Sequence, residues 1–245
     1  MITDRKKQLE ILTADFFRGI CPEFPKGRLV PSESPDFILS LGIRNSVGIE
    51  ITRLYPAGPQ NSHFSDDRRM IESVFVDRVR ELFGNYSGDP VWVKFLFSND
   101  RAPHDAEILP GSARVSAGLK KNLRNLSAKN LYLLIPPDDL PSFLDAVLLI
   151  KHPVLHESIW ESCDLPGCDN DLVADVNHVI ERKEEKLPLY QAGNHSQYWL
   201  LIVADRLSAF RKRNTGNIIM NHTFSSAFQR VYLIEMMNMR YFQLI

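Results

Sequence analysis

The sequence predicts an α/β fold, because two kinds of segment alternate along it. Short runs with apolar residues at every second position read as half-buried strands, and longer stretches with apolar residues three and four apart read as amphipathic helices. The clearest strands come as a pair. Phe37, Leu39 and Leu41 share one side of a first arm, and Val47, Ile49 and Ile51 share one side of a second, with Gly42 and Asn45 as turn residues between them. The strongest single run, residues 198–205, is almost continuously apolar, as a strand covered on both faces must be. A chain of 245 residues buries about 70–75% of the surface its unfolded form exposes, enough for one domain with a sizeable core.

Taken in order, Thr3 is placed to cap a first helix running to about residue 17, with Leu9, Leu12 and Phe16 inward and Glu10 within it. In the hairpin that follows, both apolar rows face one core only if the register is fixed, since a one-residue slip turns one row outward. With the turn centred near Arg44, Asp36 pairs opposite Thr52 and lies diagonal to Glu50, roughly 7–8 Å away between Cα atoms. Ser65, Asp66 and Asp67 cap a longer helix with the stripe Ile71, Val74, Phe75, Val79 and Leu82, and Gly84-Asn85 ends it. Residues 91–97 are strongly β. Residues 99–111, rich in Asp, Pro and charge, read as a loop, and 113–126 as a helix with Leu119, Leu123 and Leu126 apolar. Further strands are expected at 131–135, bounded by Pro136-Pro137, and at 146–151. Asp169-Asn170-Asp171 caps a helix over 172–186, and after the 198–205 strand come a short helix near 223–229 and strands at 231–234 and 241–245.

Composition excludes some classes and leaves others open. Lys and Arg total 29 against 30 Asp and Glu, so the chain as a whole does not attract nucleic acid, and binding needs a local basic surface. The best one is on the 113–126 helix, where Arg114, Lys120, Lys121 and Arg124 cluster; a solvated helix face explains the same residues. No stretch approaches the ~20 apolar residues of a membrane span. Met1 to Lys7 carries charge with no apolar run behind it, so a secretory signal is not expected. Three cysteines, Cys21, Cys163 and Cys168, do not make a disulfide framework, and a reducing cytoplasm is the expected setting. His152, His156, Cys163 and Cys168 are zinc-type ligands, but Pro153 and the wide cysteine spacing argue against a site.

The hairpin carries chemistry on its other face, where Asp36, Glu50 and Thr52 fall together. Two carboxylates at that spacing can hold one hard divalent cation. A solvated strand face also carries acids, yet Glu50 interrupts an apolar run from Val47 to Ile51. A second irregularity lies on the 172–186 helix. Its stripe runs Leu172, Val176, Val179, Ile180 and on to Leu187, and Lys183 occupies a place where the spacing asks for an apolar residue. Lys186 lies three residues further and Tyr190 seven from Lys183. A lysine snorkelling past the end of a buried stripe is the plain explanation.

A helix bearing an acid, then Pro35-Asp36, then Gly48-Ile49-Glu50-Ile51-Thr52, resembles the PD-(D/E)XK nucleases of restriction-endonuclease-like fold. Ile180-x-x-Lys183-x-x-Lys186-x-x-x-Tyr190, followed by the strand from Tyr198, is similar to uncharacterised bacterial members of that superfamily. The resemblance covers the hairpin and about 170–234; it leaves 55–166 as an insertion or elaboration of a single domain spanning 1–245. It implies a mixed central sheet flanked by helices, and an endonuclease that hydrolyses DNA phosphodiesters with Mg2+ or Mn2+. Asp36, Glu50 and the Ile51 carbonyl would be metal ligands, with Glu10 as a further ligand and Glu33 its competitor. The superfamily's lysine, two residues after the acid, is Thr52 here. Some members carry that lysine on the helix packed against the catalytic strands, which makes Lys183 the first candidate and Lys186 the second. The implied partner is DNA, with a homodimer among the assemblies the resemblance allows and no membrane. The alternative, favoured by Thr52 and the near-neutral charge, is a catalytically inactive nuclease-fold domain that binds nucleic acid or a protein.

Overall fold

The computed structural model describes residues 4–43, 45–55, 66–84, 86, 88–127, 131–163, 171–191, 193–207 and 215–245. The chain is mixed α/β and divides into two compact units, one made of Met1–Gln8 and Ser62–Asp164, the other of Leu9–Asn61 and Leu165–Ile245. The first part of the chain gives α1 (Arg5–Ile20), β1 (Arg28–Pro31), β2 (Phe37–Ser40) and β3 (Ser46–Arg53). The middle gives α2 (Asp66–Phe83), β4 (Val91–Phe97), α3 (Asp105–Leu123), β5 (Tyr132–Leu134), β6 (Leu144–Lys151) and β7 (Ile159–Ser162). The last part gives α4 (Leu172–Glu184), α5 (Leu187–Gln191), β8 (Gln197–Ala204), α6 (Thr215–Met220), β9 (Arg230–Glu235) and β10 (Arg240–Gln243).

The unit of Leu9–Asn61 and Leu165–Ile245 holds a six-stranded mixed sheet in the order β1-β2-β3-β8-β9-β10. Its centre, β3-β8-β9, is parallel, and both margins are antiparallel. Parallel strands need covering on both faces, and both are covered. Leu200, Ile202, Val231 and Leu233 pack with Leu172, Val176, Val179 and Ile180 of α4 and with Leu187 and Tyr190 of α5. On the opposite face Phe17 of α1 meets Tyr232, with ring centroids 4.9 Å apart.

The opening hairpin keeps its predicted faces but not its predicted register. Phe37 pairs with Ile49 and Leu39 with Val47, two residues along β3 from the expected partners. The connection is tighter than expected, closed by the Leu41 N–H donating to the Asn45 carbonyl at 2.8 Å. A shift of two leaves side-chain parity unchanged, so Phe37, Leu39, Val47 and Ile49 all remain buried. β1 was not expected. It adds to β2 through a turn in which the Ser32 N–H donates to the Asp36 carbonyl at 2.8 Å.

The other unit holds a four-stranded mixed sheet in the order β5-β6-β4-β7, all of it within the 55–166 stretch expected as an elaboration of one domain. Val91, Val93, Phe95 and Phe97 of the wholly buried β4 pack with Phe75, Val76, Val79 and Phe83 of α2 and with Val115 and Leu119 of α3. Phe75 and Val79 are buried as expected, whereas Val74 is 51% exposed and Val76 and Phe83 are buried instead. Residues 105–111 are helical rather than loop. The Glu107 carboxylate accepts the His104 N–H at 3.1 Å, a start signal that the Asp- and Pro-rich composition masks. No helix forms at 223–229, where Glu184 Oε1 instead accepts the Ser226 hydroxyl and the Ala227 N–H, both at 2.6 Å.

Candidate active site

β3 positions the site. The Leu54 N–H donates to the Val203 carbonyl and the Ser46 carbonyl accepts from Ser196, so the even-numbered backbone groups of β3 face β8. The odd-numbered ones, Ile49 and Ile51, therefore face β2. β2, however, pairs with β3 only as far as Ile49. Beyond that point the strand edge is taken over by a side chain: Asp36 Oδ2 accepts the Ile51 N–H at 2.8 Å. Because N–H and C=O of one strand residue point the same way, the Ile51 carbonyl is directed to the edge where Asp36 lies.

Glu50 has the opposite backbone parity and its side chain shares a face with Gly48 and Thr52. Its register partner is Leu200, on the face covered by α4 and α5. Asp36 is 8% exposed and Glu50 6%. Buried carboxylates need charge or hydrogen-bond partners, and Glu50 has both. Lys183 Nζ lies 2.6 Å from Glu50 Oε1, with side-chain exposures of 18% and 8%. The helical stripe that puts Lys183 at an apolar position is what aims it inward, and Glu50 is what it meets.

Tyr190, 4% exposed, completes the group. Burial first, then the neighbouring charge of Glu50 and, last, that of Asp36 push its phenol well above the ordinary tyrosine range. The Tyr198 hydroxyl donates to the Tyr190 carbonyl at 2.8 Å. Tyr198 in turn has room because residue 48 is glycine: a Cβ there would stand 2.9 Å from the Tyr198 ring and 2.8 Å from Pro35 Cγ.

Asp36, Glu50, Lys183 and Tyr190 thus come together from the β1–β2 turn, β3, α4 and α5. Other expected residues do not join them. Lys186 is exposed beyond the end of α4. Thr52 is half-buried on the Glu50 face and carries no charge. Glu33 is exposed. Glu10 is buried in α1, whose Phe17 packs on the other face of the sheet. Among the described residues no three His, Cys, Asp or Glu side chains gather as a metal-holding group, so Glu10 does not make a three-acid cluster with Asp36 and Glu50.

The basic face of α3 is tied down within its own unit. Arg114 donates to the Asp138 carbonyl, Lys120 to the Leu82 carbonyl at 2.7 Å, and Arg124 to the Tyr86 hydroxyl at 2.7 Å; Lys121 pairs with Asp139 at 3.3 Å. Of the zinc-type residues, His152 Nδ1 accepts the Val154 N–H at 3.1 Å in a local turn and Cys163 is half-buried, while Cys168 lies outside the described residues.

The donors around β3 fit a hard cation. Two carboxylates and one backbone carbonyl are all oxygen ligands, and Mg2+ is held by one or two carboxylates while keeping several waters. Tyr190, part of the sequence pattern but not among its expected site residues, is buried near these acids; α4 ends at Glu184 and α5 starts at Leu187, so no continuous helical face joins it to Lys183.

The chain matches no family model, no curated protein and no solved structure. Among the described residues no helix is long and apolar enough to cross a membrane.

Proposed function

We propose that this chain is a metal-dependent nuclease of the PD-(D/E)XK kind, with a restriction-endonuclease-like core, hydrolysing phosphodiester bonds of DNA. One observation carries the reading. Where Thr52 leaves the acid without its usual neighbouring lysine, Lys183 reaches Glu50 from a distant helix, at 2.6 Å. Asp36, Glu50 and the Ile51 carbonyl would hold Mg2+ or Mn2+, which when bound lowers the pKa of water and neutralises phosphate charge.

The protein's own groups do the rest. Asp36 is fixed by the Ile51 N–H, so one carboxylate oxygen is spoken for and the other is oriented. Glu50 is held by Lys183. The Lys183 ammonium beside Glu50 would stabilise negative charge growing on a phosphate oxygen. Such a contact contributes a few kcal/mol, or roughly a hundredfold in rate.

The direct Lys183–Glu50 pair also supports a second reading, an inactive nuclease scaffold in which the ion pair satisfies itself and the domain binds nucleic acid or a protein without cutting. Incubating the purified chain with supercoiled plasmid separates the two. The nuclease reading expects nicked and linear DNA with Mg2+ or Mn2+ and intact plasmid with a chelator. Intact plasmid and intact RNA with both metals would end that reading in favour of the binding domain.

A further inference from the structure

Resting on the nuclease reading, we infer that Lys183 and the divalent cation compete for Glu50. The ion pair is the resting state of the site, and the ammonium leaves Glu50 for the phosphate once a cation is bound. Lys183 Nζ stands 2.6 Å from Glu50 Oε1, the direct contact of a charge-assisted hydrogen bond. A hard cation takes a carboxylate through the same oxygens. Glu50 is buried, so two positive charges on its one carboxylate would repel with little water to screen them.

Little has to move for the exchange. The Lys183 backbone is fixed in the last turn of α4, where its carbonyl accepts the Lys186 N–H at 3.1 Å. Glu50 is fixed in β3, in register with Leu200. Between them is a flexible four-carbon stem ending in a compact charge, and the Lys183 side chain keeps 18% exposure, so it is not sealed in. Asp36 does not depend on the lysine, because the Ile51 N–H holds one of its oxygens at 2.8 Å. One ligand therefore stays in place while the other changes partner. Lys183 thus lowers cation affinity while it raises the rate, a pair of opposite effects that a merely structural ion pair does not combine.

The test is calorimetric titration of the full chain with Mn2+ at neutral pH, alongside plasmid cleavage. Lys183→Met keeps an unbranched stem and removes the charge. It should bind Mn2+ about tenfold more tightly than wild type, a typical strength of coupling between two ligands, and cut far more slowly. In a chelator its melting temperature should fall, because Glu50 is left unpaired, and Mn2+ should raise it by more than in wild type. Asp36→Ala should bind no Mn2+. Equal or weaker Mn2+ binding by Lys183→Met than by wild type, with binding lost in Asp36→Ala, would overturn the inference and leave the metal site standing. No Mn2+ binding by either wild type or Lys183→Met would overturn the nuclease reading and this inference with it. If Lys183→Met does not fold, Lys183→Gln decides by the same comparison, since its amide still donates to Glu50 without the charge.

Discussion

Asp36 Oδ2 accepts the Ile51 N–H at 2.8 Å, so a carboxylate stands on β3 at the point where β2 has stopped pairing with it. A backbone donor that would otherwise lack a strand partner is satisfied, and an acid is locked beside a carbonyl on the same edge. The ending of one strand and the beginning of the site are one structural event.

That bond gives Asp36 a structural role besides its proposed one as a ligand. Asp36→Ala should therefore lose divalent-cation binding and also about 1–2 kcal/mol of stability, the cost of leaving a partly buried N–H unsatisfied. Asp36→Asn retains an acceptor for Ile51 and should recover most of the stability while binding Mn2+ weakly. Denaturant melts and calorimetry on the two variants check both halves. Equal cation binding in wild type and Asp36→Ala would remove Asp36 from the site.

Gly48 is the second fixed point. A methyl group there would press on Pro35 and on the Tyr198 ring, and overpacking of this kind costs about 1–3 kcal/mol. Gly48→Ala should be destabilised by that amount in chemical melts. It should also cleave more slowly than its residual folded fraction explains, because Glu50 lies two residues along the same strand. A variant as stable and active as wild type would mean that the strand shifts to absorb the methyl.

Much of this was legible in the sequence. Alternation gave the faces of β2 and β3, and the break in the α4 stripe gave Lys183. The register did not follow, because a shift of two residues preserves every apolar position and only the Leu41–Asn45 closure decides it. α5 is too short for periodicity to reveal, and so the burial of Tyr190 beside these acids did not follow from the sequence. Residues 105–111 read as loop from composition, yet one hydrogen bond from Glu107 starts the helix there. The basic residues at α3 also have tertiary partners, such as Asp139 and the Leu82 carbonyl. Sequence spacing carries no trace of such partners.

The far side of the same sheet offers a pH prediction. The Tyr241 hydroxyl donates to Glu23 at 2.6 Å and, as the largest cause, holds the Glu23 carboxyl below the usual range. A depressed folded-state pKa contributes stability above the unfolded value, about 4.3 for glutamate, and that contribution is lost as pH falls through the lower folded value. The stability gap between wild type and Tyr241→Phe should then be widest at neutral pH and close in acid below the ordinary glutamate range. Thermal melts across that window measure it, and a gap that stays constant would disconnect Glu23 from Tyr241.

The central claim is that Asp36, Glu50 and Lys183 form one catalytic centre, and plasmid cleavage by wild type, Asp36→Ala, Glu50→Ala, Lys183→Ala and Lys186→Ala in parallel tests it most directly. With Mg2+ or Mn2+, wild type and Lys186→Ala should cut at similar rates. Asp36→Ala and Glu50→Ala should be inactive, and Lys183→Ala should be slower by roughly a hundredfold or more while still binding Mn2+. A Lys183→Ala rate within a small factor of wild type, beside an inactive Glu50→Ala, would contradict the account: the 2.6 Å contact would then be an ordinary ion pair.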